Sequence, residues 1–149
     1  MKQTLLFTLA LLVGPLSHAQ LPPTFGQHDS TFQGLLIQAQ KAIDSLQYQQ
    51  ALDLLKGRTG ESREVAAELG PMQAALIIGR AFYHLGNLDE ALPYLEKAGA
   101  YFEAQQGADS DVNNATSLYY IAMSRQQLGD YSAAVAYHER ALRVKQNIY

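Results

Sequence analysis

The sequence predicts an all-α fold, a solenoid of antiparallel helix pairs stacked in about three repeats. Three observations carry that prediction. Beyond about residue 31, Ala, Leu, Gln and Glu recur at three- and four-residue spacings, and the β-branched and aromatic alternation of strands is missing. Glycine-centred breaks interrupt the helical stretches at Gly57-Arg58-Thr59-Gly60, Gly70-Pro71, Gly86-Asn87, Gly107-Ala108-Asp109-Ser110-Asp111 and Gly129-Asp130. Finally, the chain resembles itself. Leu85-Gly86-Asn87-Leu88-Asp89-Glu90-Ala91-Leu92 aligns without a gap on Leu128-Gly129-Asp130-Tyr131-Ser132-Ala133-Ala134-Val135 at a period of 43 residues. A more divergent copy, Leu46-Gln47-Tyr48-Gln49-Gln50-Ala51-Leu52, lies 40 residues before the first. Periods in this range mean stacked helix pairs, each burying its apolar face against its neighbours.

Taken in order, the elements begin with a leader. Lys2 precedes the apolar run Leu5 to Val13, Gly14-Pro15 breaks it, and Ser17-His18-Ala19 offers small residues for a signal peptidase. Residues 1–19 are therefore expected to be a signal peptide cleaved before Gln20, with the mature protein in a bacterial periplasm or secreted. The run is too short for a bilayer core, which needs roughly twenty apolar residues. Residues 20–31, with Pro22, Pro23 and Gly26, read as a tether, and the array fills residues 32–149, with repeats near 32–66, 72–106 and 115–149. Glycine after a helix supplies the left-handed terminal residue, and Pro71 suits a first helical turn. Asn87 and Asp130 are expected N-caps, and Asp109-Ser110-Asp111 is expected to cap the helix that follows Gly107.

Composition narrows the chemistry. The length fits one domain and excludes a large multidomain enzyme. A net charge of −3 with 11 scattered Lys and Arg provides no basic block for nucleic acid or an anionic membrane. The absence of Cys excludes a disulfide framework, a Cys-based zinc site and a thiol nucleophile.

The residues at corresponding positions identify a resemblance that covers essentially all of residues 32–149. Ile78-Gly79, Phe82, Gly86, Ala91 and Ala98 in the middle repeat, and Ile121-Ala122, Gly129, Tyr131, Ala134 and Ala141 in the last, are similar to the tetratricopeptide repeat pattern. Small residues let the two helices of a pair touch, and large ones fill the remaining space. The resemblance implies a right-handed superhelix. The long period, Pro93 early in a second helix, Thr116-Ser117-Leu118 and Tyr137 to Leu142 look like the kinesin-light-chain-type subclass. The first repeat departs from the pattern, with Gln38-Ala39 as its pair and Leu46 at the turn glycine. Arg125 stands at the aromatic position of the last repeat, and Tyr119 and Tyr120 stand where the subclass commonly has the Asn that grips a peptide main chain.

No constellation supports catalysis, a cofactor or a metal. Of the four His, His18 leaves with the leader, His28 lies in the tether, and His84 and His138 sit in different repeats without a ligand at i+4. His138 is expected half-buried, at a position where the family packs an aromatic. Asp109-Ser110-Asp111 lacks the central Gly and later Glu of a calcium loop. Gly57-Arg58-Thr59-Gly60 has no following Gly-Lys-Ser/Thr for a phosphate.

What remains is surface. The family resemblance implies that one stripe of each first helix lines a groove: Gln73, Leu76, Arg80, Tyr83 and His84, then Thr116, Tyr119, Met123, Gln126 and Gln127. The expectation is a non-catalytic scaffold that binds a protein or peptide through this stripe. The alternative is the sensory or oligomerising region of a larger signalling enzyme, a histidine kinase or a caspase-like protease-domain protein, because the sequence ends directly after a second helix. Leu142, Ile148 and Tyr149 are then expected partly bare, as a place for self-association.

Overall fold

The computed structural model describes residues 32–56, 69–105 and 107–148; the expected leader, the tether, the Gly57-Arg58-Thr59-Gly60 break and Tyr149 lie outside them. Among the described residues there are six helices and no strand: α1 (Phe32–Asp44), α2 (Tyr48–Leu55), α3 (Leu69–His84), α4 (Leu88–Ala104), α5 (Ala108–Gln127) and α6 (Tyr131–Ile148). They pack as the pairs α1/α2, α3/α4 and α5/α6, joined through α2/α3 and α4/α5, while α1, α3 and α5 also touch in sequence. The first helices thus form one layer and the second helices the other, the predicted all-α solenoid.

Each pair turns in the same way. Gln47 N–H donates to Ala42 O at 2.8 Å, Asn87 N–H to Phe82 O at 2.9 Å and Asp130 N–H to Arg125 O at 2.9 Å. The preceding residue of each turn, Leu46, Gly86 and Gly129, has φ of 61°, 80° and 84°. These are Schellman closures, in which a left-handed residue lets the chain satisfy the last carbonyls of the first helix. Leu46 therefore holds the turn-glycine position of a true first repeat. Its side chain, 72% exposed, gains nothing from burial in return for the strained backbone.

Capping differs from expectation at two boundaries. Asp130 Oδ1 accepts Ala133 N–H at 3.1 Å, as predicted, but Asn87 makes no side-chain cap. Gly107, at φ 129°, takes the cap position of α5, so Asp109 and Asp111 lie within its first turn rather than in a broad break. There they complement the partial positive charge of the helix start without a side-chain cap bond.

The small-residue positions explain the pairing. Ala39, Gly79 and Ala122 occupy one register, as do Ala51, Ala91 and Ala134, and all are buried. At Gly79 the approach is closest: an added Cβ would lie 2.6 Å from Leu95 Cγ and 3.2 Å from the Leu95 backbone nitrogen. Leu95, Phe102, Leu52 and Ile78 fill the space around these contacts and form the largest fully buried side chains with Leu55 and Ile121. Arg125, at the register of Phe82, does not enter this core. Its guanidinium donates to Glu96 of α4 at 2.8 Å, and Arg140 of α6 makes a second ion pair with Glu103. Tyr131 matches the family pattern by position yet is 67% exposed, as are Val135 and Leu142 on α6 to similar degrees. Ile148 is half-buried.

Candidate functional site

Residues of the first helices recur at one register along the repeats. Gln33, Gln73 and Thr116 are one such set; Gln40 and Arg80 belong to another. All five line a groove of about 430 Å³ that runs across α1, α3 and α5. Its floor is apolar, with Leu36, Leu76 and Ile77 buried, while Ile37 of α1 and Val112 of α5 stand at its sides about half exposed. Lys41 completes the α1 wall.

Arg80 is held at the end of this groove. Its Nη1 donates to Gln40 Oε1 at 3.0 Å, and the Gln40 amide donates in turn to Asp44 Oδ1 at 2.7 Å. The guanidinium carbon lies 5.6 Å from the centroid of the Tyr120 ring, within the range of a cation–π contact. Arg80 Nε is shielded from solvent and has no hydrogen-bond partner.

Beyond Arg80 the ends of the first helices are tied together by aromatic side chains. The His84 ring stacks on Tyr48 of α2, with centroids 4.4 Å apart and planes 9° off parallel. On the opposite side His84 Nε2 and the Tyr120 hydroxyl of α5 are 3.2 Å apart. Tyr83 packs edge-on against both His84 and Tyr120, and its hydroxyl accepts from Gln127 Nε2 at 2.9 Å. Tyr119 continues the series to Tyr120 and to His138 of α6, which is half-buried as expected. One imidazole therefore links all three helix pairs. Burial and the neighbouring Arg80 charge push the His84 pKa below its ordinary value. Burial, reinforced by the Tyr119 charge, pushes the Tyr83 phenol up, against the lowering effect of its bond to Gln127.

The residues expected to line one stripe thus divide. Gln73, Leu76, Arg80 and Thr116 line the groove; Tyr83, His84, Tyr119 and Gln127 belong to the aromatic tie. Met123, half-buried, and Gln126, exposed, lie in neither set. Sequence reasoning did not single out Ile37, Gln40, Lys41, Tyr48 or Tyr120 as site residues. The repeat period contained part of the signal, because Gln40 precedes Arg80, and Ile37 precedes Ile77, by the same 40 residues that relate the first two repeats. Among the described residues no three His, Cys, Asp or Glu side chains gather as a metal site, and no helix is long and apolar enough to cross a membrane.

Stacked helix pairs with a groove across their first helices define a helical-repeat scaffold. Residues 72–147 match the tetratricopeptide repeat family model, and the chain belongs to that family. No curated protein and no solved structure matches it.

Proposed function

We propose that the protein is a non-catalytic scaffold that binds a protein or peptide in the groove across α1, α3 and α5. Membership of the tetratricopeptide repeat family supports an interaction role, since such arrays are generally non-catalytic. The observation that carries the reading is the groove itself: an apolar floor, polar walls in one repeated register, and helix ends locked together by the His84 tie. A preorganised surface of this kind loses little entropy on binding. The leader over residues 1–19 is the basis for placing this activity in a bacterial periplasm or outside the cell, and the 43-residue period for placing the array in the long-period, kinesin-light-chain-like subclass.

A photo-reactive amino acid at Ile37 or Val112, with Ala136 on α6 as the comparison site, tests the groove in cells of the source. Cross-links concentrated at Ile37 and Val112 are expected; equal labelling from Ala136 counts against it. The mass of the protein recovered from the envelope checks the leader, with an N-terminus at Gln20 expected.

A further inference from the structure

α6 repeats α4 at a period of 43 residues, but the face that α4 buries stays bare on α6. Leu92 of α4 is 8% exposed, whereas Val135, at the same register, is 58% exposed. Gly99 of α4 is buried, and Leu142 in its place is 57% exposed. On α4 this face is covered by α5. Arg125 reaches across to Glu96, and a Cβ on Gly99 would lie 3.3 Å from Ser117 Cβ and 3.8 Å from Ile121 Cδ1. The exposure of Val135 and Leu142 shows that no described helix covers α6 in this way. Two large aliphatic side chains on one exposed stripe mark a place where another surface is accommodated.

A further helix pair seated as α5 seats on α4 does not fit there. The close approach of α5 depends on Gly99, and α6 carries Leu142 at that position. Nor does the other end of the array supply such a helix. At the registers of Ile121 and Ser124, both buried in α5, α1 has the half-buried Gln38 and the exposed Lys41. Copies of the chain are therefore not built to stack end to end through α1, a contact that would leave an open fibre.

The bare face is instead complementary to itself. Val135 and Leu142 are seven residues apart and share one stripe of the helix. Glu139 lies between them and Arg143 one turn further on; both are exposed, and neither is in the ion pairs found among the described residues. Two copies of α6 side by side and parallel would set Glu139 against Glu139 and Arg143 against Arg143. Antiparallel copies, about an axis near Leu142, set Glu139 of each beside Arg143 of the other and lay Val135 along the Gln146 stem of the other. We propose that the protein forms a two-fold dimer through antiparallel α6 helices, with Leu142 and Val135 at its centre and Glu139–Arg143 pairs at its rim. The groove across α1, α3 and α5 takes no part in this contact. Where that groove is the binding surface, as proposed above, the dimer joins two of them and strengthens binding to a ligand displayed in many copies.

Sedimentation equilibrium of the full chain tests the dimer. The mean mass is expected to climb from one chain toward two, and no further, as the concentration is raised through the micromolar range. Leu142→Ser is expected to weaken association more than about tenfold, because each dimer loses two buried leucines, whereas Ile37→Ser in the groove leaves it unchanged. Leu142 is exposed in the single chain, so its replacement leaves the fold intact, and an unchanged circular dichroism spectrum checks this. Arg143→Glu is expected to weaken association severalfold, and Glu139→Arg combined with Arg143→Glu to restore it. A mass that stays at one chain, a mass that grows beyond two, loss with Ile37→Ser but not with Leu142→Ser, or a double reversal no tighter than the single one would overturn the proposal. None of these outcomes bears on the groove, which the Ile37 and Val112 cross-links decide. Adducts from Ala136, at the rim of the α6 face, join two copies of the chain and are told apart from groove adducts by their doubled mass.

Discussion

Leu46 and Gly79 hold opposite kinds of misfit between residue and place. Leu46 adopts a left-handed conformation with nothing to compensate it, so Leu46→Gly is expected to stabilise the protein by about 1 kcal/mol, read as a raised urea midpoint. At Gly79 the side chain is absent because Leu95 occupies the space; Gly79→Ala is expected to cost about 2–3 kcal/mol through overpacking. Leu95→Ala in the same chain should recover part of that loss, so the double variant is less destabilised than the sum of the singles. His84 adds a pH dependence. Its folded pKa lies below the unfolded value near 6.5, so the stability linked to its neutral form is complete above that pH and is lost as pH falls toward the depressed folded value. Urea midpoints at pH 8 and pH 5 should therefore differ more for the wild type than for His84→Gln; an equal difference would remove His84 as the cause.

Among the elements, α2 depends most on others. It spans 8 residues, too short for intrinsic helicity, and is held by Ala51, Leu52 and Leu55 in the core and by the Tyr48 stack on His84. Tyr48→Ala is expected to speed amide exchange in α1 and α2 while leaving α5 and α6 protected, measured by hydrogen–deuterium exchange. Exchange that rises equally in α6 would mean that the first pair is not the loosely held unit. The helices and turns were legible in the sequence because glycine positions and small residues repeat at fixed intervals. The degenerate first turn was legible too, since Leu46 falls at the turn-glycine position when the periods are followed. The caps were less so. Asn87 has the right chemistry for an N-cap yet makes no cap bond, while Asp130 in the same kind of turn does, and Gly107 rather than the neighbouring acids starts α5.

At the scale of the molecule, the site was half legible. Helical periodicity put Gln73 and Arg80 on one face of α3, because that depends on angles within one helix, and the 43-residue period adds Thr116 from α5 at the register of Gln73. It did not separate groove from tie. Tyr48 meets His84, and His84 meets Tyr120, across boundaries between repeats, and each contact depends on how one pair seats on the next. Arg125 shows the same limit: its position in the sequence leaves open a thinner core or a stem packed sideways, and the ion pair to Glu96 of α4 shows the second. With both partners partly exposed, that pair is worth well under 1 kcal/mol or about that, so Glu96→Gln should shift the urea midpoint little.

The close seating of Gly79 on Leu95 also limits how such a chain can be recombined. In the last pair the corresponding residues are Ala122 and His138, so α5 presents a methyl group where α3 presents none. A chimera crossed over at the glycine turns would set Ala122 against Leu95 and force the two helices apart. One crossed over between Gln105 and Gly107 keeps every helix with its own partner. Lineages that lengthen or shorten the array by unequal exchange are expected to carry their junctions there, with the helix hairpin inherited whole.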